Sequence, residues 1–193
     1  TYSTNVGSDN NYSMSFDGVD DYVNLGQPNQ LEFMLTNSFS LSLWVYLDPS
    51  ASTTKTIYKR GDTYSQGENK TISLLYLGSQ NELLFQMRNC GSCPNENAVT
   101  TNCQGIINNP GWYYITCVRD LGLNTATLYV NDNTGNTIIA DNNPDLCGAI
   151  NFTSNPEHYI GAAYEYENNS WGIQSFNGNI DNPQIWNTVL SQQ

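Results

Sequence analysis

The sequence predicts an all-β domain in which two antiparallel sheets pack face to face. Three observations carry this expectation. Apolar residues alternate or cluster over short runs, turn residues recur at intervals of about ten, and nothing reads as a long helix. About a dozen candidate strands result, more than one sheet easily holds, so they divide between two sheets.

In chain order the candidate strands are Tyr12–Phe16, Tyr22–Asn24, Phe39–Leu47, Thr56–Arg60, Ile72–Leu77, Glu82–Met87 and Ala98–Cys103. Trp112–Arg119, Thr125–Asn131, Asn136–Ala140, His158–Ala163, Ser175–Ile180 and Pro183–Trp186 complete the set. The cleanest period of two runs through Phe39, Leu41, Leu43, Val45 and Leu47, which share one face. The other face, Ser40, Ser42, Trp44 and Tyr46, lines either a second buried layer or a concave binding surface. Trp112–Arg119 is almost continuously apolar, as a central strand covered on both sides must be, and makes Cys117 a small buried hydrophobe. Hairpin turns are expected at Gly61-Asp62, Gly78–Asn81, Asp132–Gly135 and Asn177-Gly178. The long irregular segments, Thr63–Lys70, Cys90–Asn97, Asp141–Pro156 and Tyr164–Gly172, are where a β-scaffold carries binding residues.

The length of 193 residues fits a single domain, 1–193. Only 38% of residues are hydrophobic, but 13 tyrosines and 4 tryptophans supply core area. Six Lys and Arg against 18 Asp and Glu give a net charge of −12, which argues against nucleic acid and anionic membranes and leaves divalent cations as partners. No apolar stretch is long enough to cross a membrane, and Thr1–Asn5 lacks the pattern of a signal peptide, so the chain reads as already trimmed. Five cysteines point to an oxidising compartment. One workable scheme joins Cys90 to Cys93 and Cys103 to Cys147, leaving Cys117 in the core; Cys90-Gly91-Ser92-Cys93 lacks the second pair that a zinc site needs.

The run Tyr12-Ser13-Met14-Ser15-Phe16-Asp17-Gly18-Val19-Asp20-Asp21-Tyr22-Val23-Asn24-Leu25 resembles the opening of laminin-G-like jelly-roll domains of the concanavalin A-like lectin/glucanase superfamily. Phe39–Val45, Gly111–Ile115 followed by Arg119-Asp120, Leu128–Asp132 and Tyr159–Ala162 agree in order, and Phe176–Ser191 looks like the family's terminal strand and the start of its short final helix. The resemblance implies a two-sheet antiparallel jelly-roll sandwich, cut from a larger multidomain extracellular protein. It also implies a calcium ion where the first and last strands meet, at Asp17, Gly18 and Asp181. The alternative is that Asp17 and Asp20 cap a β-turn from which Asp181 accepts hydrogen bonds.

For ligand binding, Tyr164-Glu165-Tyr166-Glu167-Asn168-Asn169-Ser170-Trp171 mixes aromatic rings, which stack on the apolar faces of sugars, with amides and carboxylates that bond their hydroxyls. Arg60, Asp62, Tyr64 and Arg88 are expected on the same side, so the rim comprises these four with Tyr164, Glu165, Tyr166, Asn168 and Trp171. A glycosidase needs two carboxylates flanking the scissile bond, and the family's Glu-x-Asp-x-x-Glu pattern has no match here. The only histidine, His158, begins a strand with no nucleophile motif to serve. The leading expectation is a non-catalytic, calcium-supported glycan-binding module, secreted or at the cell surface. A protein adhesion module comes second and a glycosidase third.

Overall fold

The computed structural model describes residues 2–3, 12–62, 69–90, 98–132, 137–144, 150, 156–162, 164–165, 170–171 and 174–191. Its first eight strands are β1 (Tyr2–Ser3), β2 (Ser13–Asp17), β3 (Val23–Gly26), β4 (Phe39–Leu47), β5 (Thr54–Asp62), β6 (Asn69–Leu77), β7 (Glu82–Cys90) and β8 (Ala98–Gln104). Then come β9 (Gly111–Asp120), β10 (Thr125–Asp132), β11 (Thr137–Pro144), β12 (His158–Ile160), β13 (Tyr164–Glu165), β14 (Ser170–Trp171) and β15 (Asn177–Trp186). A seven-stranded sheet runs β1-β2-β15-β4-β9-β10-β11, a six-stranded sheet runs β3-β12-β5-β6-β7-β8, and β13 pairs with β14.

The alternation in β4 decides how the sheets meet. Phe39, Leu41, Leu43, Val45 and Leu47 are all buried and line up across the sheet with Ile115 and Cys117 of β9, themselves opposite Val130 and Leu128 of β10. Tyr58, Ile72, Leu74, Phe85 and Met87 face them from the six-stranded sheet, and the Phe39 and Phe85 rings lie 6.3 Å apart, edge to face. Each buried side chain of this size contributes about 1.5–3 kcal/mol. Cys117 is buried as expected.

Two arginines lie inside this core. The Arg60 guanidinium pairs with Glu32 at 2.8 Å and donates to the Leu31 carbonyl, while Arg119 donates to the carbonyls of Met34 and Leu35. All four partners belong to a 3-10 helix, Asn29–Leu35, whose buried Met34 packs into the core. The last carbonyls of a short helix have no partner within it, and the Arg119 guanidinium supplies them with donors that water cannot. Near the β2 edge, Gly161 has φ +86° and lies so close to Phe16 that a Cβ would approach its ring to 2.2 Å; Phe16 also meets Phe176 at 6.0 Å.

The strand pattern of the sequence is recovered, with differences at turns. Gly61-Asp62 belongs to β5, paired with Thr71 and Lys70, and Asn177-Gly178 opens β15, paired with Asp17 and Phe16. Both glycines lie at positive φ within strands, which is why they resemble turn residues. The two closing strands form one, interrupted by an irregularity between Asp181 and Gln184 where Asn182 is left-handed and Pro183 needs no ladder donor. Asn187–Ser191 forms bends and irregular chain rather than the start of a helix. Its Leu190 N–H donates to the Ser40 hydroxyl, which donates to the Thr188 carbonyl, so the segment is held against β4.

Candidate functional site

Of the expected rim, the described side chains are Arg60 and Arg88, and these two do not share a surface. Arg60 shares a row with Ile72 and Met87 and is buried among them, whereas Arg88, one residue beyond Met87, points out of the opposite face of the sheet. Arg60 is therefore a core residue and not a ligand contact. Asp62 ends β5 and Tyr164, Glu165 and Trp171 lie in the β13/β14 pair, but these four side chains, with Tyr64, Tyr166 and Asn168 entirely, lie outside the described residues. The segment 164–171, expected as a loop, is thus built around a short antiparallel pair. Because β12 runs antiparallel to β5, the chain leaves for β13 toward the Thr54 end of β5, while Asp62 ends the other, about 26 Å away along the strand.

Around Arg88 the outward face of the six-stranded sheet carries polar side chains sheltered from water. Tyr159, Lys59, Ser73 and Gln86 stand opposite one another on four successive strands, β12, β5, β6 and β7. Lys59 is 3%, Ser73 2% and Gln86 7% exposed, although all three point away from the core. The neighbouring row places Gly61, Thr71 and Arg88 together. At the β3 edge the Tyr159 hydroxyl and the Asn24 amide both donate to the Glu157 carboxylate, and the Tyr22 ring meets Tyr159 edge to face at 6.1 Å. The row spans about 14 Å. Lys59, Ser73, Gln86 and Tyr159 were missed from sequence. Their signal was a single polar residue between two inward residues, as in Tyr58-Lys59-Arg60, Ile72-Ser73-Leu74 and Phe85-Gln86-Met87.

The acidic turn forms without Asp181. Ligand oxygens of Asp17, Asp20 and Asp21 lie within 4.8 Å of one another, a spacing that fits carboxylates around one calcium ion, whose oxygens stand about 2.3–2.6 Å from the metal. Asp17 Oδ1 also accepts the Val19 amide at 2.7 Å, and that bond is the main reason its carboxyl lies below the ordinary value. Gly18 has φ +81° and a Cβ there would meet Asn177. Asp181 lies four residues along β15 from Asn177, the partner of Asp17, and so about 13 Å from the turn, on the outward face beside Trp44.

His158 is buried at the start of β12 with Nδ1 2.7 Å from the Tyr58 hydroxyl, which also reaches Met34 Sδ at 3.6 Å. Burial, aided by the Arg60 charge, lowers its pKa to about 3, so it is neutral at pH 7. Tyr58 also lines an apolar cavity of about 100 Å³ with Leu25, Leu41, Leu43, Ile160, Pro183 and Ile185. Apart from Tyr58, the described lining is aliphatic.

Two antiparallel sheets over one core, with the first long strand paired to the last, define a jelly-roll sandwich of the concanavalin A-like lectin fold. The chain belongs to the laminin G-type family described as the concanavalin A-like lectin/glucanases superfamily, whose model matches residues 17–193. No curated protein matches the sequence. Among solved structures it is similar to the Ruminococcus gnavus IT-sialidase CBM40 bound to α2,6 sialyllactose, with TM-score 0.68 and 12% identity over 93% of this chain and 92% of that one. It is also similar to the heptameric SAP-like pentraxin of Limulus polyphemus, with TM-score 0.58 and 15% identity over 93% and 77%. The K499G mutant of NanB sialidase from Streptococcus pneumoniae matches with TM-score 0.65 and 14% identity over 93% of this chain and 26% of that one.

Proposed function

We propose that this chain is a non-catalytic glycan-binding module of a secreted or cell-surface protein, and that its ligand lies on the outward face of the six-stranded sheet. The observation that carries the reading is the sheltered row Tyr159, Lys59, Ser73 and Gln86, with Arg88 beside it. Side chains held in fixed positions away from bulk water orient a hydroxyl-rich ligand without losing much rotamer entropy, and Arg88, partly exposed beside them, favours a sugar bearing a carboxylate or sulfate. The likeness to a module bound to sialyllactose supports the same reading. Hydrolysis would need two carboxylates across a glycosidic bond. Among the described side chains this face carries Glu157 at its β3 edge, engaged by Tyr159 and Asn24, and Glu82 at the far end of β7. Calcium at Asp17, Asp20 and Asp21 would brace the β2–β15 junction rather than touch the ligand.

The test is a panel of neutral, sialylated, uronic and sulfated glycans, probed in calcium and again with a chelator. Binding of an acidic glycan is expected, weakened at least tenfold by Arg88→Ala and by Gln86→Ala, with the chelator lowering Tm more than affinity. Silence across the panel from folded protein rejects the reading and favours protein adhesion.

A further inference from the structure

The opposite surface of the sandwich has a different chemistry. On the outward face of the seven-stranded sheet, Trp112 and Tyr114 of β9 stand in register with Tyr46 and Trp44 of β4. The Trp44 and Tyr114 rings lie 5.2 Å apart and the Tyr46 and Trp112 rings 5.8 Å apart. Amides flank both pairs, since Asn131 of β10 is opposite Tyr114 and Asn179 of β15 is opposite Tyr46. One end is closed by Trp186, whose indole N–H donates to the Ser42 hydroxyl at 3.0 Å. Trp44, Tyr46 and Tyr114 each remain partly exposed.

All six Lys and Arg of the chain lie elsewhere. Lys55, Lys59 and Arg60 are on β5, Lys70 is on β6, Arg88 is on β7, and Arg119 of β9 points into the core. The charges that the described face does carry are negative, from the buried Asp181 beside Trp44 and from Asp17 and Asp120 at strand ends. An anionic ligand would find a carboxylate here and no cation, and a protein anchor of large aliphatic side chains would match the rings but not the amides of Asn131 and Asn179, the second of which also donates to the Ser13 hydroxyl at 3.2 Å. A sugar chain without charge fits both, its C–H faces on the rings and its hydroxyls toward Asn131 and Asn179.

We infer that the aromatic face of the seven-stranded sheet is a second binding site, for an uncharged polysaccharide, independent of the polar face on the other sheet. Affinity electrophoresis of the whole chain tests it, in gels containing hydroxyethylcellulose, xylan, galactomannan or laminarin beside gels containing polysialic acid. At least one neutral polymer should retard the protein, and Trp44→Ala and Tyr114→Ala should each weaken that at least tenfold while Arg88→Ala leaves it unchanged. Should both aromatic variants fail to fold, the wild-type tryptophan emission must still change on titration with an oligosaccharide of the retarding polymer. No retardation by any neutral polymer overturns the inference. So does retardation abolished by Arg88→Ala, which assigns the polymer to the other face, or retardation by polysialic acid abolished by Trp44→Ala, which assigns an acidic ligand to this one. A dimer in sedimentation that Trp44→Ala dissolves overturns it in favour of a second copy of the chain. Loss of acidic-glycan binding in Arg88→Ala, by contrast, bears only on the polar face.

Discussion

At the scale of single residues, charge and burial separate structural side chains from binding ones. Arg60 and Arg88 look alike in sequence and are opposites in the fold, one bonded inside the core to the Leu31 carbonyl and Glu32 carboxylate of a 3-10 helix and the other turned outward. Arg60→Met should therefore cost about 1–3 kcal/mol in urea unfolding and leave glycan affinity untouched, because it removes a donor from the half-buried Leu31 carbonyl while Glu32, 40% exposed, can rehydrate. His158 gives a pH signature. Its folded pKa of about 3 lies below its ordinary 6.5, so the unfolded chain takes up the proton first. Its contribution is fully present above about pH 6.5 and is lost as pH falls toward 3, at up to about 1.4 kcal/mol per pH unit. His158→Gln should flatten the fall in urea midpoint between about pH 7 and about pH 4 relative to wild type; an unchanged slope would show that other groups set it.

At the scale of elements, the strands were legible and their ends were not. Phe39–Leu47 was read with its observed bounds because period two is unbroken there and every second side chain is buried. The 3-10 helix at Asn29–Leu35 left no trace, since about two turns of it offer little periodicity and its partners, Arg60 and Arg119, come from distant strands. Glycine misled twice, at Gly61 and Gly178, because a strand that bends uses the same positive φ as a turn. For the site, composition directed attention to the aromatic loop at 164–171, whereas the sheltered row arises from register between strands that no single segment reveals. Gly161 offers the element-level test. Gly161→Ala must adopt a left-handed conformation and drive a Cβ into Phe16, which should cost about 2–4 kcal/mol. Combining it with Phe16→Leu should recover part of that loss, and strict additivity would mean that backbone strain alone is responsible.

At the scale of the whole molecule, the charge of −12 is carried by a chain whose few cations are buried or confined to one sheet. Self-repulsion of that size weakens the compact state, so added monovalent salt should raise Tm. Calcium at the acidic turn should raise it further in wild type, and Asp20→Asn should reduce that increment without moving the salt effect.

The pairing of β2 with β15 also fixes how the sandwich answers a pull. Met14 is opposite Ile180 and Asp17 is opposite Asn177, so the chain enters β2 at the same end toward which β15 runs on to Trp186. Tension applied at positions 12 and 191 therefore loads this seam from one end, and its backbone bonds open one after another, like a zipper, instead of failing together in shear. Optical tweezers on cysteine handles at those positions should record rupture at low force, and much higher force when the handles are moved so that the load runs along β4 and β9 in opposite directions.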